Sequence, residues 1–265
     1  MKTSRLAAIA AALLGALSSG CGSLMQAECA EGYTLSGGSC VKHSLNVVCE
    51  GGQGAVLGMD FAGVEPGTDE AHLLGNAVFR VGADPVKVLD YRALSEWNAS
   101  SVTNVVDLIA SEAVARHRRV HTTVARDADE AREALATNAF DLFFVHDQAA
   151  APAGALGEIG ASWAAPIASF TSGCRDVVVL ATAQGEGEMG ELLRASGVLA
   201  VGDVEPASAA DVVVAQDDPL LSGVGASFSG EQAVAALAVD RSAGQTISVV
   251  LTTRAGVPVA VHRYW

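Results

Sequence analysis

Basic residues are scarce in this sequence. It has 16 lysines and arginines against 30 aspartates and glutamates, a formal net charge of −14. The only run of basic residues is Arg116-His117-Arg118-Arg119. Because affinity for nucleic acid depends largely on neutralising phosphates, we expect no nucleic-acid partner. We interpret the acidity as a source of solubility.

The amino terminus lacks an apolar run long enough to span a membrane. Two cations, Lys2 and Arg5, precede an uncharged run of twelve residues from Leu6 to Leu17. A spanning helix needs about 20 apolar residues. A basic start, a short apolar stretch and small residues before a cleavage site are typical of a secretory signal. We therefore predict that residues 1–20 are a signal peptide, in preference to a membrane span or a buried core helix.

The residues Ser19-Gly20-Cys21 resemble a lipobox, where a lipoprotein signal peptidase cleaves before a diacylglyceryl-modified cysteine. Ser18 stands where that pattern usually has an aliphatic residue, and ordinary cleavage near Ala27 is the alternative. The resemblance implies that Cys21 carries fatty acyl chains such as palmitate, with the membrane as its partner. Because Gly22 rather than an aspartate follows the cysteine, sorting rules for such lipoproteins imply the outer membrane.

The sequence has five cysteines but no Cys-x-x-Cys pair, so we expect no zinc site or other metal site. With Cys21 lipidated, Cys29, Cys40, Cys49 and Cys174 remain as disulfide candidates, because exported proteins meet an oxidising compartment. The sequence alone does not determine which of these cysteines form disulfides with each other. A local loop from Cys29 to Cys40 is the simplest pair, and it leaves Cys49 to meet Cys174.

Hydrophobic periodicity predicts an α/β domain over residues 54–265, after a Cys/Gly/Ser-rich tether at 21–53. Residues 54–85 hold short apolar runs broken by Gly and Pro, and they receive no assignment. The predicted strands are 86–91, 120–124, 140–145, 177–180, 246–253 and 257–263, and the predicted helices are 100–116, one from 127, one around 163–170 and one from 189 to 197. Apolar strands that alternate with helices indicate a mainly parallel sheet flanked by helices, here with a C-terminal antiparallel hairpin.

Four segments of this domain are similar to one known superfamily. They are Phe140–Gln148, Phe170–Leu180, Asp218–Val224 and Gly256–Val261. Together they resemble the class I glutamine amidotransferase-like superfamily, which has a flavodoxin-like fold. The likeness covers roughly residues 86–262 and implies a flavodoxin-like sheet for this chain.

The resemblance also places a nucleophile elbow at Thr182-Ala183-Gln184-Gly185-Glu186, where amidotransferases of this class hold a cysteine. This segment has neither Cys nor Ser. Cys174 precedes its strand and is expected at the opposite edge of the sheet, and His262 has no His-x-Glu pattern. Thr182 would need an activating base and an oxyanion hole, and no neighbouring residue is an obvious candidate for either. We therefore expect a non-catalytic branch, with no catalytic residue and no glutaminase activity.

The residues Gly185-Glu186-Gly187-Glu188-Met189-Gly190 match the G-x-G-x-x-G pattern of dinucleotide-binding proteins. Glu186 and Glu188 would place two negative charges where a pyrophosphate should meet the helix N-terminus. The pattern also comes late in the chain rather than in an opening βαβ unit. We therefore expect no dinucleotide and no other cofactor.

Polar residues follow two neighbouring predicted strands and form the candidate ligand pocket. They are His146, Asp147, Gln148, Gln184, Glu186 and Glu188. If the two strands are adjacent, both groups reach the edge at which open α/β sheets bind ligands. In the simpler interpretation, the two glutamates only favour the first turn of a helix, and His146 and Asp147 brace loops.

These patterns lead to two hypotheses about function. The first is an exported, lipid-anchored protein with a non-catalytic amidotransferase-like binding domain. The second is a hydrolase that uses His146 and Asp147, with or without a metal at Glu186 and Glu188. The sequence names neither a ligand nor a protein partner.

Overall fold

The computed structural model describes residues 33–36, 39–42, 51–95, 100–183, 188–207, 211–229 and 234–265. The chain divides into two compact units, Met1–Val48 and Cys49–Trp265. In the first unit, strands β1 (Tyr33–Ser36) and β2 (Ser39–Lys42) form an antiparallel pair. The predicted signal peptide and Cys21, Cys29 and Cys49 lie outside the described residues.

The second unit is an α/β domain built on one large sheet. Its strands, in chain order, are β3 (Gln53–Leu57), β4 (Val86–Tyr91), β5 (Val120–Ala125), β6 (Leu142–Val145), β7 (Asp176–Leu180), β8 (Val201–Ala207), β9 (Asp211–Val214), β10 (Ser227–Ser229), β11 (Val234–Val239), β12 (Thr246–Thr253) and β13 (Pro258–Tyr264). The helices of the described residues are α1 (Asp69–Phe79), α2 (Ser100–Ala115), α3 (Ala128–Ala136), α4 (Ala155–Ser172) and α5 (Met189–Ala195). Single 3-10 turns lie at Pro219–Leu221 and Arg241–Ala243.

The large sheet is mixed, with a parallel half and an antiparallel half. Its strand order is β5-β4-β6-β7-β3-β13-β12-β9-β10, and β8 pairs with β11 in a separate hairpin. The first five strands run parallel, and each of the last four is antiparallel to its neighbours. The predicted α/β class is confirmed, with a mainly parallel sheet, flanking helices and antiparallel strands at the C-terminus.

Helices cover both faces of the parallel half, which explains why its strands are almost entirely apolar. On one face, α1 and α2 pack against residues such as Leu57 and Phe144. On the other face, α3, α4 and α5 pack against residues such as Val56 and Phe143. Successive residues of a strand therefore enter different cores, as the two-residue period of a strand requires.

Local signals set several helix ends as the sequence predicts. Asp127 caps α3, because its carboxylate accepts a hydrogen bond of 2.8 Å from the Glu130 backbone N–H. After α5 the chain turns at Gly197 with a φ of 74°, a left-handed conformation that suits glycine. Residues 54–85, which received no assignment, contain α1 and all but the first residue of β3.

The order of the strands creates a topological switch point between β4 and β6. From β4 the chain passes through α2 to β5 on one side, and from β6 it passes through α4 to β7 on the other side. The connections therefore diverge and leave a crevice at the carboxyl ends of these two strands. Ligands of open α/β sheets usually bind in such a crevice.

Within the described residues, no helix combines the length and the hydropathy that a membrane crossing requires.

Candidate functional site

A cavity of about 40 Å³ lies at the switch point. Three adjacent strands bring residues to it from their carboxyl ends. These residues are Met59 and Asp60 after β3, Leu180 at the end of β7 and Thr182 after it, and His146, Asp147 and Ala149 after β6. The loop after β4 adds Ser95, and the first turn of α2 adds Ser101 and Val102. This cavity, the crevice, therefore combines carboxylates and hydroxyls with an apolar wall.

Asp147 is the most perturbed acid of the crevice. Burial raises the pKa of Asp147 to about 7. The hydrogen bond from the Thr182 hydroxyl lowers this pKa, the charge of Asp60 raises it, and a weaker interaction with the Gln148 backbone N–H lowers it. The Thr182 hydroxyl donates to Oδ2. The other oxygen, Oδ1, is buried and accepts no well-aligned hydrogen bond from any described residue. A carboxyl group in this state is half ionised near neutral pH.

Asp60 brings a second carboxylate to the crevice from the end of β3. Its Oδ1 accepts a hydrogen bond of 2.9 Å from the Ala62 backbone N–H, which holds the side chain in a tight local turn. The sequence analysis missed Asp60, because residues 54–85 had no assigned strand whose end could point to it.

His146 is buried beside the crevice and pairs with a partner that the sequence did not predict. Its Nε2 lies 3.1 Å from Oδ1 of Asp90, and both side chains are 3% exposed. Asp90 belongs to β4, and its Oδ2 lies 3.6 Å from Nε of Arg92. The edge of the His146 ring also contacts Phe144. His146 is thus fixed by β4 and does not pair with Asp147.

Gln148 ties the loop after β6 to the loop after β4. It is fully buried, and its side-chain amide donates to the carbonyls of Tyr91 and His146 and to the Ser95 hydroxyl. Its Oε1 accepts from the Leu94 backbone N–H at 2.9 Å. These bonds use the whole side chain, so Gln148 supports the crevice without lining it.

The other predicted pocket residues follow β7. Gln184 and Glu186 lie outside the described residues. Glu188 is exposed, and a hydrogen bond and charge repulsion from Glu191 raise its pKa. No group of three or more His, Cys, Asp or Glu side chains is placed to hold a metal ion anywhere in the described part of the chain.

Cys174 lies just before β7, at the opposite edge of the sheet from the crevice, as predicted from the sequence. It forms a disulfide. Its partner is not among the described side chains, so the predicted pairs stay predictions.

Thr182, by contrast, lies at the crevice and donates to Asp147. The sequence offered no obvious partner for the Thr182 hydroxyl, because Asp147 comes from the loop after β6, which is distant from Thr182 in sequence.

A second buried polar cluster lies near the amino ends of β3 and β7. His262 of β13 is fully buried, and its Nδ1 contacts both oxygens of Asp218 at 2.9 and 3.0 Å. The Ser248 hydroxyl and the Leu220 backbone N–H also donate to Asp218, each at 2.9 Å. On the other side of the ring, the Arg80 guanidinium donates to Nε2 at 2.8 Å. Every polar group of this cluster has a partner, which is typical of a structural network.

The chain was also compared with known proteins. No protein-family model matches the sequence. No curated protein matches it either.

Proposed function

We propose that this chain is an exported, lipid-anchored protein whose domain 54–265 is a non-catalytic, amidotransferase-like binding domain. The domain takes a small polar ligand in the crevice. The observation that carries the proposal is Asp147, a largely buried carboxylate in a cavity at a topological switch point, whose Oδ1 has no well-aligned donor among the described residues. Switch-point cavities with a few convergent polar groups and a perturbed pKa are where α/β proteins bind ligands.

The flavodoxin-like part of the proposal is supported by the arrangement of the parallel strands. Five parallel strands have α1 and α2 on one face and α3, α4 and α5 on the other, as in doubly wound folds. The four antiparallel strands beyond β3 are an addition to that pattern. The lipid anchor is supported by the signal-like residues 1–20 and by Cys21.

The binding function is tested by filling the crevice. We expect that saturation-transfer NMR of the full-length chain in non-ionic detergent, screened against a library of small polar amines, carboxylates and sugars, finds ligands that Ala149→Leu abolishes. Ala149 lines the crevice, so the added methyl groups take up its volume. Ala136→Leu, at an exposed position of α3, is the matched control and should bind normally. Ligands that bind both variants alike would contradict the proposed site.

The anchor is tested at Cys21. We expect Cys21→Ser to abolish labelling by a palmitate analogue and to move the protein from the membrane fraction to the soluble fraction, because stable attachment needs the acyl chains. Cys29→Ser is the control, since it removes a different cysteine of the same segment. A mature protein whose mass shows an unmodified chain that starts elsewhere would refute the anchor.

The second candidate function is a hydrolase, and one observation favours it. The Thr182 hydroxyl donates to Asp147, whose pKa of about 7 suits a general base. In such a reaction the Thr182 oxygen would attack an ester carbonyl, its proton would pass to Asp147 and then to the leaving alkoxide, and water would release the acyl group. His146 would stay fixed by Asp90 beside them.

This alternative is tested with p-nitrophenyl acetate and with glutamine. We expect no release of nitrophenolate or ammonia above background from the full-length chain. Thr182→Val removes the hydroxyl with little change of volume, and Thr122→Val does the same at an exposed position of β5. Turnover that Thr182→Val abolishes and Thr122→Val keeps would make the protein an enzyme and overturn the non-catalytic proposal.

A further inference from the structure

We propose that the crevice binds a primary alkylammonium group, with Asp147 as the carboxylate that receives it. This inference rests on the proposed binding function and adds the class of ligand.

Hydrogen-bond acceptors and negative charge dominate the polar lining of the crevice. Asp147 and Asp60 each contribute a carboxylate. Oδ1 of Asp147 is buried without a well-aligned donor among the described residues. A buried acceptor without a donor is unfavourable, so a ligand that supplies N–H groups removes that penalty when it binds. A positive charge on the same group also offsets the repulsion between the two carboxylates.

The apolar part of the lining distinguishes an organic cation from a metal ion. Met59, Val102 and Leu180 face the same cavity and offer methyl groups to the first methylenes of an alkyl chain. The volume of about 40 Å³ is room for a compact head group, since one water needs roughly 10–15 Å³. Hard metal ions take about six oxygen ligands, and the described residues hold no cluster of metal-binding side chains.

Protonation of Asp147 competes with such a ligand. An ammonium group prefers the ionised carboxylate, so affinity falls by about tenfold for each pH unit below the pKa of the free site. With a pKa of about 7, binding at pH 5.5 is expected to be about 30-fold weaker than at pH 8. The other titratable groups at the crevice are Asp60 and His146, with Asp90 behind the His146 ring. The experiment therefore includes a variant that removes only the Asp147 charge.

The experiment uses methyl NMR of the full-length chain labelled in Met, Val and Leu, because Met59, Val102 and Leu180 report directly from the crevice. The probes are n-butylammonium, neutral butan-1-ol and anionic butyrate. We expect butylammonium to shift all three methyl signals at pH 8 and the other two probes to shift none. Asp147→Asn should weaken butylammonium binding at least about tenfold, the factor typical of a hydrogen bond to a charged group. It should also remove most of the pH dependence. Asp107→Asn, which removes an exposed carboxylate of α2, should leave both unchanged.

The outcomes separate the ligand class from the proposed function. Butanol or butyrate binding that Ala149→Leu abolishes, without butylammonium binding, would overturn the ammonium proposal and leave the crevice as the binding site. Butylammonium binding that survives Asp147→Asn would also overturn it. If no probe shifts these methyl signals and the ligand screen finds none, the proposed function fails too. Nα-acetyl-lysine methylamide serves as a further probe. If it binds at least as tightly as butylammonium, the ammonium group of the natural ligand belongs to a lysine side chain. If it binds more weakly, the natural ligand is a free amine.

Discussion

Asp147→Asn is expected to increase the free energy of unfolding by about 2–4 kcal/mol at pH 8 and to change it little at pH 4. The folded-state pKa of Asp147 is about 7, above its ordinary value of 3.8. An acid whose pKa is raised by folding favours the folded state only while it is protonated. The cost of ionising it grows as pH rises from about 4 to about 7 and is then constant, at up to roughly 1.4 kcal/mol per pKa unit. The amide of asparagine has no such cost and still accepts the Thr182 hydrogen bond.

This prediction is checked by urea unfolding of the full-length chain, followed by circular dichroism across that pH range. Asp107→Asn is again the control, because it removes an exposed charge and should give the same unfolding curve as the parent at each pH. A gain in stability confined to neutral and alkaline pH would show that the protein keeps a carboxylate in the crevice at the expense of stability. Such a residue is expected at a functional site. An equal effect at all pH values, or a loss of stability at pH 8, would contradict the raised pKa.

Asp218→Ala is expected to destabilise the domain by about 3–5 kcal/mol at neutral pH, because it removes three hydrogen bonds to a buried carboxylate, each worth roughly 1.5–3 kcal/mol when one group is charged. Burial alone would raise the pKa of Asp218, but hydrogen bonds from His262, the Leu220 backbone and Ser248 hold it below its usual value. The substitution leaves the fully buried His262 without its carboxylate. It also removes the cap of the 3-10 turn at Pro219–Leu221.

The pH dependence of this second effect has the opposite sign to that of Asp147. Because the folded-state pKa of Asp218 is lowered, its contribution is present above about pH 4 and is lost as pH falls through the folded-state pKa. The difference between the parent and Asp218→Ala should therefore shrink in acid. Asp217→Ala, at the exposed neighbouring position, should change stability by less than about 0.5 kcal/mol. A mild effect of Asp218→Ala at neutral pH would mean that the cluster does not hold β12 and β13 in place.

The sequence predicted the parallel half of the sheet well because that half depends on local signals. Strands such as β6 and β7 are covered on both faces, so they appear in the sequence as short apolar runs. Between them, Trp163, Ile167 and Phe170 recur at helical spacing because all three face the same core in α4. These features involve neighbours within a few residues, which a single sequence displays.

Strand β3 was missed because its glycines, which usually mark loops, serve close packing here. A Cβ on Gly54 would lie 2.6 Å from the Trp265 ring, and one on Gly58, just after the strand, would lie 2.5 Å from the Ala235 carbonyl. Trp265 and Ala235 are far away in sequence, so no local pattern distinguishes these glycines from turn formers. Helix α1 was missed with it, in the same unassigned stretch.

The candidate site was predicted only in part, for a similar reason. His146 and Asp147 follow an obvious apolar strand, so their place at the sheet edge could be anticipated. Their chemistry depends on Asp90, Asp60 and Thr182, which reach them from three other strands. Pairings of this kind depend on the strand order of the sheet, which the sequence does not display. Gln148, counted as a pocket residue from its position, instead forms the clamp between two loops.

The most direct test of the account is an NMR titration of the Asp147 side-chain carboxyl. The full-length chain would be labelled with ¹³C at aspartate carboxyls, and the Asp147 signal would be assigned by its absence from Asp147→Asn. We expect a midpoint of about 7 in the free protein, and a lower midpoint with n-butylammonium, because a bound cation favours the ionised form. A midpoint close to the ordinary value of 3.8, unmoved by the amine, would mean that Asp147 is a solvated loop residue and that the crevice is not the ligand site.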